Sequence, residues 1–300
     1  MHDEPNMNRT QSADLIKPMI FSISDLVEWV QAGTPFKNIL KLIDDGKNVC
    51  LVGTFGFALA FYSWLKKQND LKFPVKDYKS SRVNRNNFRS LNTRLFIRVR
   101  NCELALDKAP KNPWLKQFYP KHDDFLLRFS DFLGMNGAWQ WFKKGIKLPV
   151  LDQAVHPFYG VYFPNRHEHL ILFNHWLAKN AGFSKALDIG TGCGVLALLM
   201  LRRGIPFVHA TDVNPNAVYN AALEFEKRGM QAKTLIEQAS FLGSYEPDGK
   251  DLIVINPPWI PAQTETALDL ATYYEAGFFE KFFSSVHTEM KKGSTLVLLF

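Results

Sequence analysis

The second half of the chain alternates between short apolar runs and longer segments in which apolar residues recur at helical spacing. The apolar runs predict strands over residues 185–189, 206–211, 233–237, 251–255 and 294–300. The segments with helical spacing predict helices over residues 168–179, 194–203, 215–229 and 268–291. Regular alternation of this kind favours a parallel sheet covered by helices. Ligands of such sheets bind at the carboxyl ends of the strands.

The first half of the chain has a less regular pattern. Apolar spacing predicts two short amphipathic helices, over residues 24–30 and 39–43, interrupted near Gly33. The 17 residues 49–65 are uncharged and resemble a short membrane span. Their polar content and marginal length favour a buried core segment instead.

Charge divides the chain at a proline-containing linker over residues 146–166. Residues 1–150 contain 24 Lys and Arg against 14 Asp and Glu, whereas residues 151–300 contain 12 against 15. We therefore expect an N-terminal basic domain, mostly helical or α+β, over 1–150 and a near-neutral catalytic domain over 151–300. Such a basic domain suits a polyanion, although a basic surface in contact with solvent gives the same composition.

The densest basic segment covers residues 79–100, which contain seven Lys and Arg and no acid. Arg82, Arg85 and Arg89 would share one helical face, and residues 97–100 alternate as in a strand. This segment is the candidate polyanion-binding surface.

The sequence gives no sign of disulfides, metal or secretion. The cysteines are odd in number and form no CxxC pair, at Cys50, Cys102 and Cys193. We expect a reducing compartment, the cytoplasm, with no structural zinc and no membrane partner. The N-terminus lacks the basic start and apolar run of a signal peptide. A metal site is not expected either, because no helical face is shared by His167, His169 and His175.

A glycine-rich turn, Gly190-Thr191-Gly192-Cys193-Gly194, follows the predicted strand 185–189. It superficially matches a dinucleotide-binding turn, but Val195 stands where that pattern requires glycine or alanine. Asp188 lies at the mouth of the turn, where a carboxylate repels a diphosphate and favours a cationic ligand. Gly190 and Gly192 allow a ligand to approach the backbone because they have no Cβ atom.

Asp212 ends the next predicted strand. An acid at that strand end is placed to accept hydrogen bonds from ribose hydroxyls. The alternative is that Asp212 caps the helix that follows Asn214-Pro215.

The tetrapeptide Asn256-Pro257-Pro258-Trp259 follows the apolar run 252–255. An amide or exocyclic amine nitrogen is a poor nucleophile, since its lone pair is delocalised. The Asn256 side-chain oxygen and the Pro257 carbonyl could accept its two N–H groups and direct its lone pair. Trp259 would stack on the planar group that carries the nitrogen. The alternative is a simple turn at the end of a strand.

Over residues 160–300, the glycine turn, Asp212 and the tetrapeptide resemble the class I S-adenosylmethionine-dependent methyltransferases. The resemblance implies a Rossmann-like, doubly wound, mainly parallel sheet and S-adenosyl-L-methionine as the cofactor. The cofactor-binding residues that it implies are Asp188, Gly190, Thr191, Gly192, Gly194 and Asp212.

Two segments qualify the resemblance. Many relatives carry an Asp after the third strand that contacts the adenine amino group, whereas this chain has Ala239-Ser240-Phe241, so Ser240 is the candidate substitute. Residues 160–168 are similar to a segment that lies over the cofactor pocket in some relatives, which makes Tyr162 and Arg166 candidates for its entrance.

The tetrapeptide is similar to the signature of N6-adenine, guanine-N2 ribosomal RNA and release-factor glutamine methyltransferases. It restricts the acceptor to a planar amine or amide without choosing among them. The basic first half favours ribosomal or other RNA as the acceptor, and a protein glutamine is the alternative. A non-catalytic cofactor-binding module and a nicotinamide oxidoreductase are the hypotheses from other classes.

The last predicted strand, 294–300, is apolar enough for the centre of a sheet. The resembling fold adds two more strands beyond this one. We therefore expect further residues after Phe300, or another element that covers this edge.

Overall fold

The computed structural model describes residues 15–24, 27–262 and 271–299. They form two compact units, an N-terminal unit of residues 17–137 and a C-terminal unit of residues 138–299 that also includes residues 15 and 16. Across the described ranges, no helix has the length and apolarity that crossing a membrane requires.

The N-terminal unit contains a seven-stranded mixed sheet. Its strands are β1 (Ile20–Phe21), β2 (Glu28–Gln31), β3 (Val49–Thr54), β4 (Leu95–Arg100), β5 (Glu103–Leu104), β6 (Leu106–Asp107) and β7 (Asp124–Arg128). Its helices are α1 (Phe36–Asp44), α2 (Phe55–Lys72), α3 (Tyr78–Asn92), α4 (Trp114–Phe118) and the start of α5 (Phe129–Lys144). The main strand order is β1-β7-β4-β3-β2, and β2, β3 and β4 are parallel.

The apolar segment 49–65 is part of this core, as predicted. Residues 49–51 of β3 are buried, and α2 buries Ala58, Phe61 and Leu65, which share one helical face. Helix α2 begins at the cap residue Thr54, whose hydroxyl accepts the Phe57 N–H at 3.1 Å. The segment is thus a strand followed by an amphipathic helix of a globular core.

The helix predicted over residues 24–30 is wrong. Residues 28–31 form the edge strand β2, which pairs in parallel with β3, and residues 25 and 26 lie outside the described residues. Val30 is buried and its neighbours are exposed, so a short apolar stretch that fitted helical spacing follows strand alternation instead.

The basic segment folds as predicted into a helix and a strand. Helix α3 begins with a capping box, in which Asp77 accepts the Ser80 N–H at 2.7 Å and the Asp77 N–H donates to the Ser80 hydroxyl. Arg82, Arg85 and Arg89 are exposed on this helix. In β4, residues 95–97 and Val99 are buried, whereas Arg98 is half-buried and Arg100 is exposed, so the two arginines share the face opposite Ile97 and Val99.

The C-terminal unit is an α/β domain with a five-stranded parallel sheet. Its sheet strands are β8 (Ala186–Ile189), β9 (Val208–Asp212), β10 (Thr234–Gln238), β11 (Leu252–Ile255) and β14 (Thr295–Leu298). A two-stranded ribbon pairs β12 (Ile260–Pro261) with β13 (Tyr273–Tyr274). Its helices are α6 (Glu168–Lys179), α7 (Val195–Arg202), α8 (Pro215–Lys227), a 3₁₀ turn (Gln231–Lys233) and α9 (Phe278–Glu289). The Rossmann-like, mainly parallel sheet predicted from the sequence is confirmed.

The strand order is β10-β9-β8-β11-β14. From β8 the chain adds β9 and β10 on one side and then β11 and β14 on the other, so the order of addition reverses between β8 and β11. Every residue of these two strands is buried, and Val254 pairs with Asp188 and Ile255 with Ile189. The residues that follow, Asn256 and Gly190, therefore lie next to each other at the carboxyl edge. This is the switch point at which doubly wound sheets bind ligands.

The helix predicted over residues 268–291 begins later in the structure. Residues 263–270 lie outside the described residues, residues 273–274 form β13, and α9 begins at Phe278 after Gly277, which has a φ of +85°. A left-handed residue does not continue a helix, so Gly277 sets the start of α9. Strand β14 is the last strand on its side of the described sheet.

Candidate active site

Residues at the carboxyl ends of β8, β9, β10 and β11 line one cavity of about 310 Å³. The predicted site residues in its wall are Gly190, Thr191, Gly192, Asp212, Ser240, Asn256, Pro257 and Trp259. Tyr162, from the linker before α6, also lines it, whereas Arg166 is exposed and is not part of the wall. The switch point and the cavity therefore coincide.

The glycine turn presents open backbone to this cavity. Gly190 has a φ of +70°, and a Cβ atom built on it would meet no heavy atom within 4 Å. The Gly190 and Thr191 N–H groups donate to the Thr211 carbonyl at 2.8 and 3.0 Å, which fixes the turn against β9. A ligand can thus lie directly against a rigid backbone segment.

Asp188 and Gly194 are absent from the cavity wall, and their role as cofactor contacts stays a prediction. The Asp188 carboxylate is fully buried, and its Oδ2 atom accepts the Thr191 hydroxyl at 2.7 Å and the Ala197 N–H at 3.0 Å. The free N–H groups in the first turn of α7 attract this carboxylate. It therefore lies beneath the glycine turn and not at the mouth of that turn. Gly194 precedes α7 with a φ of +78°, and a Cβ there would lie 3.1 Å from the Phe225 ring. Both residues shape the turn from behind.

Burial raises the pKa of Asp188 to about 7. Since an unfolded Asp ionises near pH ~4, the native state binds more protons than the unfolded state between these values, and stability falls as pH rises through that window. The variant Asp188→Asn has no carboxyl group to ionise at this position, so its stability lacks this dependence on pH. Relative to that variant, the free energy of unfolding of the wild type should fall by up to about 1.4 kcal/mol per pH unit between pH ~4 and ~7 and then level off. Urea titrations across this range measure the difference, and a difference independent of pH would contradict the assignment.

Asp212 ends β9 in the cavity wall and holds the glycine turn. Its Oδ2 accepts the Gly192 N–H and its Oδ1 accepts the Asn214 N–H, both at 2.9 Å. Burial raises the pKa of Asp212, and these backbone hydrogen bonds oppose the rise. The residue that caps α8 is Asn214, whose Oδ1 accepts the Asn216 N–H at 3.0 Å, so the reading of Asp212 as a helix cap is wrong. Each carboxylate oxygen keeps a lone pair for a ligand hydroxyl.

Asn256 carries an acceptor that the protein leaves unused. Its Oδ1 atom is buried in the cavity wall and has no hydrogen-bond partner among the described residues. Pro257 is buried beside it, and Trp259 keeps 46% of its surface exposed at the cavity. A buried acceptor without a partner costs about 1–3 kcal/mol. Such an atom is expected where a ligand completes the hydrogen bond.

The sequence pattern did not identify Phe241, which lines the cavity beside the exposed Ser240. Phe241 has a φ of +52°, which is uncommon for a bulky residue. Its carbonyl accepts the Thr211 hydroxyl at 2.7 Å, and its ring packs against Phe278 and Phe282 with centroids 5.8 and 5.7 Å apart. These contacts compensate the strained backbone, and no sequence signal short of the three-dimensional packing marks them.

The charge of the wall favours a cationic ligand. Among the lining residues that the structure describes, Asp212 is the one carboxylate, and none is Lys or Arg. Within the same part of the chain, no group of three or more His, Cys, Asp or Glu side chains could hold a metal ion. The site thus combines a carboxylate, an open glycine turn and an unused amide oxygen.

Residues 170–275 match the family model of the methyltransferase small domain. A tRNA1(Val) (adenine(37)-N6)-methyltransferase of Bacteroides thetaiotaomicron is 27% identical over 137 residues, which are 43% of this chain and 56% of that protein. A release factor glutamine methyltransferase of Moorella thermoacetica is 38% identical over 76 residues, which are 25% of this chain and 26% of that protein. The family match confirms the resemblance to methyltransferases over the residues that it covers.

Among solved structures, the chain is similar to a T. thermophilus 16S rRNA N2 G1207 methyltransferase in complex with AdoMet and guanosine. The two are 18% identical, and the match has a TM-score of 0.39 over 51% of this chain and 40% of that chain. The chain spans about half the length or less of the first curated relatives it matches.

Proposed function

We propose that this chain, whose residues 170–275 form a methyltransferase small domain, methylates a planar sp² nitrogen with S-adenosylmethionine as the donor. The preferred acceptor is an exocyclic base amine in ribosomal or other RNA. The observation that carries the proposal is the Asn256 Oδ1 atom, buried without a partner at the switch point of the sheet.

The wall of the cavity fits the donor. S-adenosylmethionine supplies an electrophilic methyl group on a positively charged sulfur. Gly190 leaves space for a ligand against the backbone, and Asp212 offers the carboxylate oxygens that ribose hydroxyls require. The absence of Lys and Arg among the described lining residues also suits a cation. Gly194 would support the turn, and Asp188, whose Oδ1 atom is buried without a partner among the described residues, stays a candidate for contact with the donor.

Asn256 and Pro257 would hold the acceptor nitrogen. The Asn256 Oδ1 atom accepts one N–H of the substrate, and the Pro257 carbonyl accepts the other. The nitrogen lone pair is then drawn out of the π system and oriented. Two successive prolines restrict the backbone that presents this carbonyl. No strong base is required, because the proton becomes acidic once the nitrogen carries a fourth substituent.

Trp259 would fix the plane of the acceptor. Nearly half of its surface is exposed. An exposed aromatic side chain at a cavity offers a stacking surface for a base or an amide. Stacking would set the angle between the planar group and the cavity floor.

RNA is preferred because of the N-terminal unit. Lys79, Arg82 and Arg85 are exposed on α3, and none of the three forms an ion pair among the described residues. Such a row contacts phosphates without reading sequence. We assign recognition of the RNA acceptor to this unit.

A protein glutamine is the second candidate, because its amide has the same planar N–H₂ group. The release factor glutamine methyltransferase among the relatives supports it. A non-catalytic cofactor-binding module is the third candidate.

The cysteines are free and two of the three are buried, which fits a reducing compartment such as the cytoplasm.

The experiment that separates these candidates is methyl labelling of an extract from cells that lack the protein. Tritiated S-adenosylmethionine and the purified protein are added, and the products are digested with RNase or protease. Label that RNase releases selects the RNA acceptor, whereas label that only protease releases selects glutamine. If no label is transferred above the level of a boiled-protein control, the non-catalytic module is the remaining candidate.

Replacing Gly190 with alanine should selectively impair donor binding. The new methyl group would occupy open space beside the cavity wall, where we place the donor. We therefore expect the affinity for S-adenosylhomocysteine to fall at least about tenfold, a loss of ~1.4 kcal/mol. Gly204→Ala is the matched control, because Gly204 has a φ of +91°, an equally open Cβ position and no place in the cavity wall. Both variants should lose about 1–2 kcal/mol of stability from the left-handed backbone. Calorimetric titration measures the affinities, and equal affinities for the two variants would refute the placement of the donor.

A further inference from the structure

A second side chain in the cavity wall carries an unused polar atom. His169 lies in the first turn of α6 and lines the cavity, and its Nε2 atom is buried with no hydrogen-bond partner among the described residues. A buried ring nitrogen without a partner is costly unless a ligand completes its hydrogen bond. Asn256, which also lines the cavity, shows the same condition. Two residues of the wall thus each carry a buried polar atom without a partner among the described residues.

Burial lowers the pKa of His169. Glu168 opposes this effect and His167 adds to it. The imidazole is therefore mainly neutral at pH ~7. A neutral imidazole donates from one ring nitrogen and accepts at the other. Its Nε2 atom can thus serve as a donor to an anionic group.

The position of His169 in the fold indicates which part of the donor it meets. In the proposed function, Asp212 at the end of β9 and Phe241 after β10 take the adenosine side of the cavity, and Asn256 after β11 takes the acceptor side. His169 comes instead from α6, which packs against α7, the helix that follows the glycine turn. A sulfonium donor has three substituents, so the remaining one, the amino acid part, belongs on this side.

The amino acid part ends in a carboxylate, which requires hydrogen-bond donors. No Lys or Arg is among the described lining residues, and His169 is the one side chain there that can carry a positive charge. The Thr191 hydroxyl already donates to Asp188. Other hydroxyl donors line the cavity, at Tyr162, Ser240 and Tyr273. The His169 Nε2 atom is the candidate among them that is buried without a partner, so it is the donor assigned to the carboxylate.

We propose that His169 donates a hydrogen bond from Nε2 to the carboxylate of the donor's amino acid part. The inference rests on the proposed function, because it takes the cavity to bind S-adenosylmethionine. It gives α6 and the linker before it a role in recognising the cofactor.

The test compares S-adenosylmethionine with decarboxylated S-adenosylmethionine, which lacks only the carboxylate. His169→Leu removes the donor, His169→Gln keeps an amide donor at similar reach, and His169→Asn keeps polarity but has a shorter reach. We expect His169→Leu and His169→Asn to weaken S-adenosylmethionine about tenfold or more, as for hydrogen bonds to charged groups. His169→Gln should recover most of the affinity, and all three should bind the decarboxylated compound as the wild type does.

Titration calorimetry on the full chain measures these affinities, and thermal unfolding establishes that each variant is folded. Equal losses for the two ligands in His169→Leu and His169→Asn would overturn the inference, as would no loss for either ligand. Should His169→Leu fail to fold, the comparison of His169→Asn with His169→Gln decides in the same way. A wild-type protein that binds neither ligand would refute the proposed function itself, and the inference with it.

Discussion

Replacing Asn256 with alanine should reduce kcat about 10²–10³-fold, the usual effect of removing one positioned polar group from a catalytic site. Affinity for S-adenosylhomocysteine should stay within about threefold of the wild type, because the role proposed for Asn256 is contact with the acceptor and the substitution leaves the proposed donor site intact. Initial rates at saturating donor and titration calorimetry measure the two quantities.

We expect the stability of this variant to stay the same or rise, although its activity falls. The Asn256 Oδ1 atom has no partner among the described residues, so truncating the side chain removes an unsatisfied buried group. We expect the free energy of unfolding of Asn256→Ala to equal or exceed that of the wild type, a trade of stability against activity. Asn180→Ala is the control, because Asn180 is exposed at the end of α6 and is absent from the cavity wall. Full turnover by Asn256→Ala would contradict the assigned role.

The largest loss of stability is expected from Arg228→Met. The side chains of Arg228 and Glu224 are 7% and 2% exposed and form an ion pair on α8. Removing the guanidinium leaves the Glu224 charge buried without its partner, which costs about 3–5 kcal/mol. Urea denaturation measures the free energy of unfolding.

The pair also holds the linker that leads to the active site. Glu224 accepts the His156 N–H at 2.8 Å, and Arg228 donates to the Ala154 carbonyl at 2.8 Å. Arg203→Met is the matched control, since the exposed Arg203 side chain donates to Asn174 and forms no ion pair among the described residues. This variant should stay within about 0.5 kcal/mol of the wild type. An effect of Arg228→Met no larger than that of the control would show that the pair does not stabilise the unit.

The parallel sheet was predictable because its central strands β8 and β11 are buried on both faces and therefore appear as continuous apolar runs. Residues 186–189 and 252–255 are buried throughout, and the turns after them contain glycine or proline. Residues 28–31 were not predictable in the same way, because an edge strand buries one residue in four and short patterns fit either period. The start of α9 depends on the left-handed Gly277 and the β13 pairing, which are tertiary features.

The position of a site residue at the end of a strand was predictable from the sequence. The orientation of its side chain was not. The sequence placed Asp212 and Asn256 at the carboxyl edge, and both line the cavity. It could not show that Asp188 turns under the glycine turn to reach the first turn of α7. Phe241 and His169 line the cavity because elements distant in sequence pack together. The hydrophobic periodicity of a single sequence does not reveal such packing.

The most direct test of the account is to identify the atom that receives the methyl group. Labelled product is digested to nucleosides and amino acids and analysed by mass spectrometry. We expect a methyl group on an sp² nitrogen, as in N6-methyladenosine, N2-methylguanosine or N5-methylglutamine. A methyl group on oxygen, carbon or sulfur would contradict the role proposed for Asn256 and Pro257, because their two hydrogen-bond acceptors would hold a nitrogen that carries two N–H bonds.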